Sequence, residues 1–247
     1  MTGRFRVLLA VWTLAYLWPR WPYIGELWAR PILRQDPWFM AAFTPPTQWA
    51  VHGLLGAATI AALAMIIGRR VRIAHAVMLV VFALLIAFDT RMARGYGVLA
   101  LVQWALLWFA PHAPGERGAN WGATLLKLQF SSVYLFTIPA KLVGGRGWWD
   151  GKSLFHVLND DTWGLFGLAA GGVSRNVATA MSWGTLGAEL FIALGLWWPR
   201  TRVAAAITLV GLHLGIGLSL RISPLFHLLM AAHLALWFGS QKQGEDQ

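Results

Sequence analysis

Apolar residues in this chain come in long unbroken runs, and the polar positions gather in the short stretches between them. Eight runs can be delimited, at about Phe5 to Trp18, Trp49 to Ile67, Val71 to Phe88, Gly97 to Ala110, Gly122 to Ala140, Met181 to Trp198, Val203 to Leu220 and Ser223 to Phe238. Because the apolar positions run on instead of alternating, the pattern predicts helices and excludes the strands of a membrane barrel. The first and fourth runs are short against the roughly 20 residues a helix needs to cross a bilayer, so local thinning or interfacial placement is expected there. The expected fold is all-α: a polytopic transmembrane helical bundle of about eight segments, with roughly six to nine compatible. It forms one integral-membrane domain over residues 1–240, followed by a polar tail at 241–247.

The connections divide into two kinds. Gly68-Arg69-Arg70, Pro199-Arg200-Thr201-Arg202 and Arg221-Ile222-Ser223-Pro224 are tight turns that force antiparallel neighbours. Pro19 to Gln48 and Lys141 to Ala180 are long. The first carries Trp21, Trp28 and Trp38 together with Pro22, Pro31, Pro37, Pro45 and Pro46, a composition suited to a cap at headgroup level. The second carries Trp148, Trp149 and Trp163, and the apolar run before it is expected to stop at Pro139 and Ala140.

Composition agrees with the pattern. The chain is 57% hydrophobic and 12% charged, with a mean hydropathy of +0.56, too little charge to cover a soluble surface. Its net charge of +10 does not point to nucleic acid, because the basic residues are scattered between apolar segments instead of forming one patch. They read as interfacial anchors. The absence of cysteine excludes disulfides, thiolate metal sites and cysteine nucleophiles, and leaves the redox compartment open.

Met1 to Trp18 has a basic start at Arg4 and Arg6 but no small-x-small cleavage site, so it reads as a first helix and not as a cleaved signal peptide. Basic residues divide evenly between the two sides. The tightest basic turns share the N-terminal side, which places the N-terminus in the cytoplasm and both long connections outside.

Few residues stand out as candidates for chemistry. Lys127, Ser131, Tyr134 and Lys141 fall at about 0°, 40°, −20° and −40° on an ideal helix, a polar stripe that should avoid lipid. Snorkelling of Lys127 and Lys141 to opposite interfaces is the plainer alternative. Glu189, in the middle of the sixth run, must be neutral, hydrogen-bonded or paired with a cation. Asp89, followed by Arg91 and Arg94, reads as a helix-end charge cluster. His213 and His227 lie on adjacent antiparallel segments and could meet only across the turn at Arg221 to Pro224, while His233 diverges from His227. This is a weak metal signal, and no metal site is expected. Trp149-Asp150-Gly151 should start a short helix, with Asp150 accepting from its first backbone donors.

The string Gln129-Phe130, Tyr134-Leu135-Phe136, Lys141-Leu142 and Trp149-Asp150-Gly151-Lys152-Ser153-Leu154 resembles the core signature of the HTTM family, the membrane domain shared with vitamin K-dependent γ-carboxylases. Arg91, Glu189-Leu190, Pro199-Arg200, His213 and the last run from Phe226 stand in the matching order, so the resemblance spans about Val71 to Phe238. It implies a membrane bundle and a quinone or quinol in an intramembrane cavity. Lys141 would be the base, Glu189 and His213 its polar partners, and Tyr134, Trp148, Trp149 and Asp150 would border the bound ring. The carboxylases add a large luminal domain that binds propeptide and peptide substrate, whereas this sequence stops at Gln247, so peptide carboxylation is not expected of it.

Two functions stay open from sequence: a small carboxylase-like enzyme or quinone- or lipid-binding protein of the bacterial cytoplasmic membrane, and a non-catalytic accessory subunit of a larger membrane complex. A transporter is disfavoured because no pair of broken helices recurs in two halves. The first reading expects Lys141, Glu189 and His213 to line one polar cavity open towards Trp148 to Ser153.

Overall fold

The structure, a computed structural model, describes residues 2–22, 48–88, 95–110, 121–144, 146–165 and 172–238. Within these residues it is helical without strands, save one isolated bridge between Gly164 and Leu220. Each of the eight apolar runs falls on helix: α1 (Thr2–Leu17), α2 (Gln48–Ile67), α3 (Val71–Phe88), α4 (Tyr96–Leu107), α5 (Trp121–Gly144), α7 (Arg175–Gly195), α8 (Arg202–Ser219) and the pair α9 (Pro224–Ala232) and α10 (Ala235–Phe238). A shorter helix, α6 (Lys152–Asn159), lies between α5 and α7. Among the described residues, three stretches are long and apolar enough to cross a membrane: Trp49–Ile67, Arg175–Gly195 and Arg202–Ser219.

The chain gathers into two compact units, Met1–Leu126 with Phe238–Gln247, and Lys127–Trp237. In the first, α2 and α3 form a hairpin across Gly68, whose φ of 81° suits a residue without a side chain. Leu55, Ala58, Ala62 and Met65 of α2 and Met78, Phe82 and Leu85 of α3 are fully buried. They recur at three- and four-residue spacing, which puts them on one face of each helix, and the alanines allow close backbone approach. Phe5 and Leu9 of α1 fill the same core, and Trp12 and Tyr16 stack at 5.0 Å beside Tyr96. His75 Nε2 donates to the carbonyl of Trp104 at 2.7 Å, which gives a buried polar ring a partner and ties α3 to α4.

In the second unit α7 and α8 pack as an antiparallel pair. The turn between them satisfies the carbonyls at the end of α7: Thr201 Oγ1 donates to Gly195 O at 2.7 Å and Arg202 Nε to Leu196 O at 3.1 Å. The other end of α7 is capped by Ser174, whose hydroxyl accepts from Val177 N.

Several expectations about this region change. Helix α5 does not stop at Pro139; it runs on to Gly144, and Lys141 stands inside its last turn. One proline removes a single backbone hydrogen bond, and packed surroundings can hold the helix across it. The long connection after it is also shorter than the hydropathy indicates, since α6 occupies part of it and α7 begins at Arg175. Polar residues such as Arg175, Asn176 and Thr179 hid the first turns of α7; the first two are exposed and Thr179 donates to Asp150 O.

Beyond α6, Asp160 Oδ1 accepts from Thr162 N at 2.7 Å and Trp163 N at 3.1 Å, and these donors hold its carboxyl below the usual carboxylate range. Arg221 N donates to Trp163 O and Leu165 N to Ser219 O, so this turn is hooked onto the end of α8. The expectations for Asp89, Arg91 and Arg94, for the Trp28 and Trp38 part of the first connection and for the tail at 241–247 lie outside the described residues.

Candidate functional site

The site lies within the second unit and is organised by α5. Four residues one or two turns apart on this helix each meet a different partner. Lys127 Nζ stands 5.8 Å from the ring centre of Trp237, and the Ser131 hydroxyl accepts from Trp197 Nε1 at 2.9 Å. Tyr134 meets His213 of α8, and Lys141 meets Glu189 of α7. The stripe read from the sequence therefore faces protein, as the cost of a polar group against lipid requires.

Lys141 and Glu189 form a direct ion pair between Nζ and Oε1. The side chains are 19% and 9% exposed, so the pair is largely withdrawn from solvent. Thr137 donates to the other carboxylate oxygen at 3.2 Å, and Trp148 covers the ammonium with its ring centre 4.8 Å away. Glu189, in the apolar helix α7, thus has both a cation and a hydroxyl donor, and Lys141 is engaged by a carboxylate.

Below this pair runs a second polar chain. The Tyr134 hydroxyl and His213 Nε2 are 2.7 Å apart, and His213 Nδ1 and His227 Nδ1 are 2.9 Å apart. Tyr134 and His213 are buried. The remaining ring nitrogen, His227 Nε2, is also buried and has no hydrogen-bond partner. The two histidines meet because the turn from Leu220 to Ser223 folds α9 back along α8. Sequence could place them on neighbouring segments, but the orientation that lets them touch is set by that turn.

A cavity of about 380 Å³ lies along this part of α8 and α9. Leu209, Leu214, Leu218, Ile222 and Leu228 make its walls apolar, and His213 and His227 are its polar groups. Gly217 stands against this buried nitrogen: a side chain there would start 3.4 Å from His227 Nε2. Lys141 and Glu189 are not among the lining residues. The structure thus shows an ion pair between Lys141 and Glu189 and, beside it, an apolar cavity with His213 and His227 in its wall. The carboxylate and ammonium neutralise each other, which leaves neither free to face an apolar space.

Trp148, Trp149 and Asp150 shape the approach between α5 and α7. Trp149 Nε1 donates to Leu142 O at 3.0 Å. Asp150 Oδ1 accepts from Lys152 N at 3.1 Å, at the start of α6 as the sequence indicates, although the cap position itself is Gly151. Its other oxygen accepts from Arg175 Nη2 at 2.6 Å, and its carbonyl from Thr179 Oγ1 at 2.9 Å. Among the described residues no group of three metal-binding side chains converges. Comparison of the chain with protein-family models, with curated proteins and with solved structures finds no match.

Proposed function

We propose that this chain is a polytopic membrane protein of about eight spans, of the HTTM type, that binds a quinone or a lipid of similar shape in the α8–α9 cavity. The observation that carries the reading is an apolar cavity lined by His227, whose Nε2 is a buried imidazole nitrogen without a hydrogen-bond partner. An unmade hydrogen bond at a buried group is unfavourable, and a ligand oxygen would restore it while an apolar ring and tail take up the Leu and Ile walls. Lys141, held by Glu189, belongs to the scaffold that sets α5 against α7. The basic turns at Gly68 to Arg70 and Pro199 to Arg202 support a cytoplasmic N-terminus in a bacterial inner membrane.

Calorimetric titration of the protein in lipid nanodiscs with decylubiquinone, against empty nanodiscs, should show saturable binding. Gly217→Leu, which fills the space before His227 Nε2, should weaken it by about tenfold or more. Ile207→Ala, on an exposed face outside the cavity, should not. Uptake that does not saturate, or that is the same in Gly217→Leu, overturns the reading. Protein that binds no quinone yet co-purifies in fixed ratio with other membrane subunits replaces it by the accessory-subunit reading.

A further inference from the structure

The chain of Tyr134, His213 and His227 has a property that its members lack singly. Its central link joins two identical atoms, Nδ1 of each ring, 2.9 Å apart. With both rings neutral, one Nδ1 must carry the proton and the other must not, and each choice fixes the opposite nitrogen of its own ring. Two complete arrangements result. In one, Tyr134 donates to His213 Nε2, His213 Nδ1 donates to His227 Nδ1, and His227 Nε2 carries a proton into the cavity. In the other, His227 Nδ1 donates to His213 Nδ1, His213 Nε2 donates to the Tyr134 oxygen, and His227 Nε2 offers a lone pair. The three residues carry the same three protons in both, so neither arrangement adds charge to the apolar cavity.

We infer that this chain reverses as a unit, so that the cavity accepts both forms of a carbonyl/hydroxyl pair: the quinone through an N–H donor and the quinol through a nitrogen acceptor at the same atom. The inference rests on the quinone reading above and names the ligand states that the site takes. Tyr134 is what lets the chain reverse, because a hydroxyl both donates and accepts. His213 is a positioning residue that transmits the direction, and His227 is the contact. The apolar walls, Leu209, Leu214 and Leu228 among them, do not distinguish the two forms, so the discrimination falls on this one nitrogen.

The test uses decylubiquinone and decylubiquinol with the protein in nanodiscs. Wild type should bind both within about threefold, since each form makes one hydrogen bond. Nitrogen-15 spectra of histidine-labelled wild type should show His227 Nε2 protonated with the quinone and unprotonated with the quinol. His213→Glu in its carboxylate form, set by measuring at alkaline pH, supplies an acceptor only, which holds a proton on His227 Nδ1 and leaves Nε2 a lone pair. Quinone affinity should then fall about tenfold, the size of one hydrogen bond, while quinol affinity stays. His213→Gln, whose amide can donate or accept, should keep both. An unchanged protonation state of His227 Nε2 with the two ligands overturns the inference, and it is read on wild type even where a variant does not fold. Equal losses for both ligands in His213→Glu also overturn it. Wild type that binds neither probe removes the quinone reading itself.

Discussion

Lys141 shows how far one residue's surroundings decide its role. An unpaired lysine at apolar depth would be a candidate base, but here its ammonium meets Glu189 and lies under Trp148. A buried pair contributes little net stability, yet removing one partner strands the other charge. Lys141→Met should therefore lower the stability of the protein in detergent by about 3 kcal/mol, and Lys141→Met with Glu189→Gln should recover most of it. Thermal unfolding of the three forms measures this. Equal melting temperatures for Lys141→Met and wild type would show that the pair does not hold α5, and would return Lys141 to the list of free bases. His227 reverses the case: the sequence sets it aside as half of a weak metal signal, and its surroundings leave one buried nitrogen beside the cavity without a partner.

At the scale of elements, the joint between α6 and α7 is the most constrained. Gly151 sits at φ 69°, and a Cβ added there would collide with the backbone and hydroxyl of Thr179. Gly151→Ala should cost about 2 kcal/mol or more and loosen the Asp150–Arg175 contact, seen as faster proteolysis between α6 and α7. Thr179→Ala, which removes a hydroxyl and a methyl group without a clash, should be milder. The helices themselves were legible, because hydropathy reports burial in lipid or protein directly: all eight runs lie on helix, and the polar stripe of α5 indeed faces partners. What hydropathy could not report were polar helical turns. The last turn of α5 beyond Pro139 and the first turns of α7 are helical through capping and packing, not through apolar content, whereas α6 was legible from its Trp149-Asp150-Gly151 start. The site was legible as residue types but not as a grouping. Order along the chain put Lys141, Glu189 and His213 on three helices, but it did not show that Lys141 pairs with Glu189 while Tyr134, about two turns earlier on α5, pairs with His213.

For the molecule as a whole, the lack of any cysteine makes sidedness directly measurable. Single cysteines at Thr2 and at exposed Asp161 should react with an impermeant maleimide from opposite sides of the membrane, Thr2→Cys from the cytoplasm and Asp161→Cys from outside. Labelling of both from one side would discard the eight-span arrangement, in which an odd number of crossings separates them. Within the second unit, α5 resembles a keyed shaft in a lock. Its keys Lys127, Ser131, Tyr134 and Lys141 engage Trp237, Trp197, His213 and Glu189 along about 21 Å of its length. A turn of the shaft by even one residue, about 100°, would withdraw all four keys together. Such a helix cannot act as a gate by rolling or sliding alone, so the way into the cavity is left to the opposite side, where Leu214, Leu218 and Leu228 stand exposed.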